Sequence, residues 1–161
     1  VNSLEIVTTI TVNKEPCSMQ LDKHENLWVL CSGSFTNSDA PALFKIDPSS
    51  GDILQKIDFP LNSAPKHLLI NNTKDSLYFI NTHLYCLSVS ANQLPVDPFI
   101  QAENVNFYNA AISPFTGHIF ITDVKDYLQN GYVYQFNASG ISLDTFEVKI
   151  TPSEMMFVNT N

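Results

Sequence analysis

The sequence has few of the residues that stabilise helices or bind polyanions. Only 15% of its 161 residues are charged, and 16 acidic residues against 8 basic ones give a formal net charge of −8. The helix formers Ala, Glu, Lys and Arg are scarce, and no segment shows a helical apolar period. The excess of negative charge opposes the phosphate contacts on which nucleic-acid binding depends. We therefore predict an all-β protein whose partners do not include nucleic acid.

Long apolar runs and the sequence motifs of common enzymes are also missing. No run approaches the roughly 18–20 residues of a membrane helix, and no basic-then-apolar signal opens the sequence, so we expect a soluble, mature or shortened chain. There is no glycine-rich phosphate loop, HExxH motif, nucleophile elbow or DxDxDG calcium loop. Ser63–Lys66 matches SxxK, but Pro65 and the flanking apolar runs predict an extended link there. We expect no catalytic residue and no cofactor.

What the sequence does contain is a repeated series of short apolar runs. Between Tyr108 and Ile150 four such runs are joined by two tight turns and one polar link, and the same order occurs twice upstream. Leu27, Leu77 and Ile119 occupy equivalent places, as do Leu43, Leu84 and Val133, which gives a repeat of about 41 to 50 residues. Four strands in a repeat of this size are typical of a β-propeller blade rather than of a sandwich. The predicted blades cover approximately residues 17–60, 66–104 and 108–150, with a weaker fourth strand near Phe99–Ala102 in the second.

Two further segments predict strands of incomplete blades. Leu4–Val12 has the pattern of an outermost blade strand, and Glu154–Val158 that of an innermost one. Propellers usually close with four to eight blades, so we predict a partial propeller within a single domain, 1–161. It is either the carboxy-terminal part of a seven- or eight-bladed ring whose amino-terminal half is missing or one of two copies that complete a ring as a dimer, and we favour the first. The large rings at alternating strand positions should be buried between blades: Trp28, Phe44, Tyr78, Phe120 and Tyr134.

Histidines and cysteines give no metal site. His67 begins an innermost strand and is a candidate polar contact to a ligand, but no third metal ligand lies at a suitable spacing from it. Cys17 and Cys31 are symmetric about a turn and could face each other across two strands, whereas Cys86 lies in another blade. Cross-strand disulfides are strained, and apolar neighbours favour buried thiols. We therefore expect three free cysteines.

Particular residues resemble known propeller families. Pro65–Tyr78, followed by Leu84–Leu87, is similar to the repeats of YVTN and quinoprotein-dehydrogenase-like propellers. Thr116–Tyr127 and Asn130–Tyr134 resemble the last full blade of the DUF5074-type propeller lipoproteins of the Bacteroidetes cell envelope, and Ile150–Asn159 is similar to the carboxy terminus of that family. The resemblance implies a surface or periplasmic binding propeller, anchored as an outer-membrane lipoprotein and associated with an uptake system. One branch of the family captures cobalamin for an outer-membrane transporter. The resemblance does not imply quinone chemistry, because a shared fold does not fix function.

One face of the predicted propeller collects the candidate binding residues. The links between blades, and those between the second and third strand of each blade, open on this face, and long loops on a rigid scaffold commonly carry binding sites. We predict a non-catalytic module that binds a small nutrient or a partner protein such as an outer-membrane transporter. The alternative is a propeller hydrolase or lyase, similar to a lactonase, with its site at the channel mouth. The residues predicted to contact the ligand are His67, Tyr108, Asp126, Tyr127 and Asn130.

Overall fold

The computed structural model describes residues 6, 8–34, 36 and 38–159, and in these residues the regular structure consists of β-strands without a helix. No helix in this part of the chain is therefore long and apolar enough to span a membrane. The strands are β1 (Pro16–Leu21), β2 (Leu27–Cys31), β3 (Ala42–Ile46), β4 (Ile53–Asp58), β5 (Lys66–Ile70), β6 (Ser76–Asn81), β7 (His83–Ser88), β8 (Phe107–Ile112), β9 (Ile119–Asp123), β10 (Asn130–Phe136) and β11 (Ser142–Ile150). The prediction of an all-β fold is confirmed.

The strands form three antiparallel meanders. Their orders are β1-β2-β3-β4, β5-β6-β7 and β8-β9-β10-β11. The first strands of the three sheets contact one another in sequence, β1 with β5 and β5 with β8. Sheets that meet along their first strands and carry the later strands outward are the blades of a propeller. The structure is a partial β-propeller, as predicted.

Alternation along each strand builds two cores between the three blades. In β6, Leu77 and Phe79 pack toward the first blade, whereas Tyr78 and Ile80 pack toward the third. Successive strand residues point to opposite faces of a sheet, so one apolar strand serves both interfaces. Because all four of these side chains are buried, the middle blade is held on both sides.

The predicted ring positions differ in burial. Trp28, Phe44 and Tyr78 are 0%, 4% and 7% exposed, while Phe120 and Tyr134 are only partly buried. Phe44 does not lie between two of the described blades; it packs with other buried residues on the far face of the first blade. Tyr134 packs against the core between the second and third blades. Phe120 lies on the other face of the last described blade, which has no further blade against it among the described residues.

A buried carboxylate stabilises the first hairpin. Asp22 accepts hydrogen bonds from Trp28 Nε1 at 2.9 Å, from the backbone N–H of His24 at 2.8 Å and from that of Asn26 at 3.0 Å. Lys45 Nζ lies 3.8 Å from the same carboxylate. Because Trp28 lies in β2 and Lys45 in β3, these interactions connect the β1–β2 turn to both strands.

The second blade differs from the prediction at its outer edge. In place of a fourth strand near Phe99–Ala102 there is a single antiparallel bridge between Ile100 and Leu84. The link that precedes it contains Pro95 and Pro98, and proline has no N–H to donate to a ladder. The hydrogen bonds are therefore confined to the immediate neighbourhood of Ile100.

The two end segments lie beside the end blades without strand pairing. Residues 8–12 and 154–158 adopt no strand, and Leu4, Glu5 and Val7 of the predicted first segment lie outside the described residues. Ile10 and Val12 pack on the far face of the first blade, and the Phe157 ring lies 5.4 Å from that of Phe120 on the last one. A strand requires a neighbour that exchanges backbone hydrogen bonds with it, and neither segment has one among the described residues.

Candidate functional site

Irregularities in the innermost strands occur at equivalent places in the three blades. The pairing register shifts between Pro16 and Ser18 in β1, between Lys66 and Leu69 in β5, and between Phe107 and Asn109 in β8. A bulge bends a strand and turns a side chain away from its regular direction, and bulges are common beside functional sites. The bulged segments contain Cys17, His67 and Tyr108, one in each blade. All three occur near the start of the innermost strand, on the face where the blade-joining links open.

Three side chains of this face gather around the ring of a fourth residue, Tyr108, and we call the four residues the channel-mouth cluster: Lys66, His67, Tyr108 and Tyr127. Lys66 Nζ lies 5.0 Å from the centre of the Tyr108 ring. The His67 ring centre is 6.4 Å from that of Tyr108, and the Tyr127 ring stands edge-on to it at 6.0 Å. The cluster therefore joins β5 and β8 of neighbouring blades to the β9–β10 link.

Two residues of the cluster have left-handed backbone conformations. His67 has φ of 55° and Tyr127 has φ of 67°. Such values are uncommon for bulky residues and persist where surrounding structure enforces them. The bulge of β5 enforces the first, and a hydrogen bond from Tyr127 N to the Val124 carbonyl at 2.9 Å closes the turn that contains the second. Half of Tyr127 remains exposed, so its ring is available to a ligand.

The electrostatics of the cluster favour the neutral form of His67. Burial lowers the pKa of Lys66 below its ordinary value. Burial and the charge of Lys66 lower the pKa of His67, and a hydrogen bond with the Tyr108 backbone offsets part of this effect. At neutral pH the imidazole of His67 is thus uncharged and can donate or accept a hydrogen bond.

Two of the five residues predicted from sequence have their polar groups engaged elsewhere. The Asp126 carboxylate accepts from the backbone N–H of Leu128 at 3.0 Å and from Gln129 Nε2 at 2.7 Å, and the Gln129 side chain is the largest cause of its lowered pKa. Asn130 Nδ2 donates to Glu147 Oε1 at 2.9 Å, toward the outer strand β11. Of the predicted residues, the structure brings together His67, Tyr108 and Tyr127.

Sequence reasoning missed Lys66 as a member of this cluster. Neither its contact with Tyr108 nor its neighbour in the next blade can be read from spacing within one blade. Its position directly before the bulged His67 is the local signal that could have indicated it.

Two clefts on the same face lie between the first and second blades, and both are lined by Ser63. Their volumes are about 250 Å³ and 320 Å³. At the first cleft the chain folds back closely on itself, since a Cβ added to Gly33 would lie 2.6 Å from the Asp39 carbonyl oxygen. The second has an aromatic wall, because the rings of Phe79 and Tyr85 are stacked 5.5 Å apart. The further lining residues of the second cleft are Phe59, Pro60, Asn81, Leu94, Pro95 and Val96.

His83, His118 and Cys31 have structural environments. His83 Nδ1 accepts from the backbone N–H of Ala102 at 3.0 Å, and His118 Nδ1 hydrogen-bonds Gln135 Nε2 at 2.8 Å. The three cysteines are free thiols. Cys17 is exposed in its bulge, whereas burial raises the pKa of Cys31 to about 11.

Acidic and metal-binding side chains do not converge on the cluster. Within residues 8–34 and 38–159, no three His, Cys, Asp or Glu side chains are grouped so as to hold a metal ion. The arrangement offers an aromatic surface, a neutral imidazole and an ammonium group, which can bind a ligand by stacking, hydrogen bonds and charge.

Comparison with solved structures identifies the fold. A quinoprotein alcohol dehydrogenase-like protein from Bacteroides thetaiotaomicron superposes with a TM-score of 0.64 at 18% identity, over 81% of this chain and 33% of that one. Hydrazine synthase of Kuenenia stuttgartiensis superposes with a TM-score of 0.52 at 10% identity, over 92% of this chain and 53% of that one. A protein of unknown function from Bacteroides caccae superposes with a TM-score of 0.50 at 11% identity, over 66% of this chain and 36% of that one. The chain spans about a third to a half of the length of these proteins. Neither a family model nor a curated protein matches the sequence.

At these identities the likeness concerns the fold alone. The resemblance to quinoprotein-like propellers that the sequence suggested agrees with the first of these structures.

Proposed function

We propose that this chain is part of a non-catalytic binding propeller and that its ligand meets the channel-mouth cluster. The observation that carries the proposal is the repeated bulge near the start of the innermost strands, which places His67 and Tyr108 side by side at the junction of two blades. A rigid scaffold that presents an aromatic residue and a polar residue at one point is a typical binding arrangement.

The ligand is a small molecule with a planar or ring-shaped part. Tyr127 is half exposed and stands edge-on to Tyr108, so its own face is open to a stacking partner. The neutral imidazole of His67 supplies a hydrogen bond beside it.

The proposed setting is the cell surface or periplasm of a bacterium, with the full-length protein an outer-membrane lipoprotein of the DUF5074 or YVTN type. The sequence resemblance and the Bacteroides origin of two structural neighbours support this setting. In this setting the propeller would bind a nutrient and deliver it to an outer-membrane transporter. Cobalamin is the first candidate nutrient.

Calorimetry on the purified protein tests the function directly. We would titrate cyanocobalamin and a panel of neutral oligosaccharides into the wild-type protein, Tyr127→Ala and His24→Ala. Loss of the Tyr127 ring should weaken binding by about 1–3 kcal/mol, the cost of truncating an aromatic anchor. His24 lies in an exposed turn at the opposite end of the strands, so its substitution should leave affinity unchanged. Equal loss in both variants, or no loss in either, would contradict the proposed site.

A further inference from the structure

Lys66 has an unusual environment for a lysine in an acidic protein. The chain carries twice as many acidic as basic residues, yet no ion pair or hydrogen bond engages Lys66 Nζ among the residues the structure describes. The group is partly buried and lies over the Tyr108 ring. Burial is the cause of its lowered pKa, and no carboxylate acts in the opposite direction.

Three other lysines show the contrast, whereas Lys125 Nζ resembles that of Lys66 in lying over a ring, that of Tyr132, at 4.2 Å. Lys14 and Lys56 form ion pairs at 2.7 Å with Asp39 and Asp58. Lys45 donates to the Val89 carbonyl at 3.2 Å and lies beside Asp22. A partly desolvated ammonium without such a partner loses hydration that the Tyr108 ring replaces only in part. An anionic group of a ligand would replace it and form a charge-assisted hydrogen bond.

We propose that the channel-mouth cluster selects a small ligand that carries a single carboxylate next to a planar ring, with Lys66 binding the carboxylate and Tyr127 and Tyr108 contacting the ring. This inference rests on the proposed binding function and names a ligand class that excludes cobalamin, whose side chains are amides and which carries no free carboxylate. Although the net charge of the chain is −8, the charged side chain among the four residues of the cluster is the ammonium group of Lys66. A single ammonium matches one negative charge, whereas a phosphate ester would bring a second charge into a protein of net charge −8.

Matched probes separate the charge from the ring. We would titrate ¹⁵N-labelled protein with 4-hydroxyphenylacetate, 4-hydroxyphenylacetamide and phenyl phosphate and follow the backbone amides by NMR. The carboxylate should bind at least about fivefold more tightly than the amide and more tightly than the phosphate, with shifts at His67 and Tyr108. Equal affinity for the carboxylate and the amide, tighter binding of the phosphate, or no shift at the cluster would overturn the inference.

Variants of the lysine locate the preference. In Lys66→Met the carboxylate and the amide should bind with equal affinity, whereas Lys66→Arg should retain the preference for the carboxylate. Lys66→Gln gives a second neutral side chain if the methionine variant is unstable. Lys23→Met, in an exposed turn at the other end of the strands, is the matched control and should behave as wild type. A preference that survives both neutral substitutions would overturn the role of Lys66.

The two proposals fail in different ways. If the calorimetric panel reveals Tyr127-dependent binding but the wild-type protein shows no carboxylate preference, the ligand class is wrong and the binding function stands. If neither the panel nor the probes bind at the cluster, both are wrong.

Discussion

Removal of the buried carboxylate of Asp22 should strongly destabilise the first blade. The residue is 2% exposed and its side chain is fully buried. Its oxygens accept from Trp28 Nε1, from two backbone N–H groups and from Asn26 Nδ2. In Asp22→Ala each of these donors loses its acceptor, and Lys45 loses its nearby carboxylate.

The magnitude follows from the burial of these donors. A buried donor that is left unsatisfied costs about 1–3 kcal/mol, and this applies in full to Trp28, which is 0% exposed. The backbone donors lie in a turn whose other residues are exposed, so water can replace part of their loss. We expect the free energy of unfolding to fall by about 3–5 kcal/mol, the range found when a buried charge pair is broken.

Urea unfolding followed by far-ultraviolet circular dichroism measures this change. The transition midpoint should move to lower urea at an unchanged m-value. Asp97→Ala removes an exposed aspartate and should change stability by less than about 0.5 kcal/mol. A loss below about 1 kcal/mol for Asp22→Ala, or equal losses in the two variants, would refute the assigned role.

The same carboxylate predicts a pH dependence. Burial alone would raise the pKa of Asp22, but the hydrogen bonds from Trp28, Asn26 and His24 outweigh it and the pKa is lowered. A carboxyl whose folded pKa lies below its unfolded value contributes stability that is fully present above the unfolded pKa, about 3.9. That contribution should disappear as pH falls below about 4 in the wild type and be absent from Asp22→Ala.

Three further predictions concern the loops, the thiols and the cluster. Gly33 and Gly51 both have φ of 81°, but of the two only Gly33 has backbone atoms within 3 Å of an added Cβ. In thermal unfolding, Gly33→Ala should therefore lower the free energy of unfolding by about 1–3 kcal/mol more than Gly51→Ala. Equal losses would contradict the close approach at Gly33. A disulfide reagent at pH 8 should label exposed Cys17 in the folded protein, but Cys31 only on unfolding, because Cys31 is buried. Desolvation raises the pKa of both thiols, that of Cys31 to about 11, so the difference in labelling rests on exposure; simultaneous labelling would show that β2 opens. The His67 imidazole should titrate in NMR below the ordinary value of about 6.5. Folding favours the neutral imidazole, so the stability that His67 contributes should be lost as pH falls through the folded pKa of the residue. A raised pKa of His67 would contradict a desolvated cluster.

The blade pattern could be predicted because it is local. Alternating apolar residues and turns such as the one closed by Gly51 define strands and hairpins within a few residues of each other. Phe99–Ala102 and the end segments were harder, because strand pairing depends on a neighbour. Pro95 and Pro98 interrupt the approach to the second blade, and a segment such as 154–158 has an apolar pattern without a described partner strand.

The candidate site was predicted only in part for a similar reason. The face and the rings of Tyr108 and Tyr127 follow from the predicted strand order. The engagement of Asn130 with Glu147 and the approach of Lys66 to Tyr108 depend on side-chain contacts between strands or between blades. Repeat spacing fixes which strands are equivalent, but it does not show where a bulge will redirect a side chain.

The central claim is that a ligand binds where the innermost strands begin. Hydrogen–deuterium exchange on the purified protein, with and without the panel ligand that binds in calorimetry, tests it most directly. Protection should increase in residues 64–68, 106–109 and 124–128, which carry the channel-mouth cluster. Protection confined to the opposite turns, residues 22–26, 71–75 and 114–117, would contradict the account.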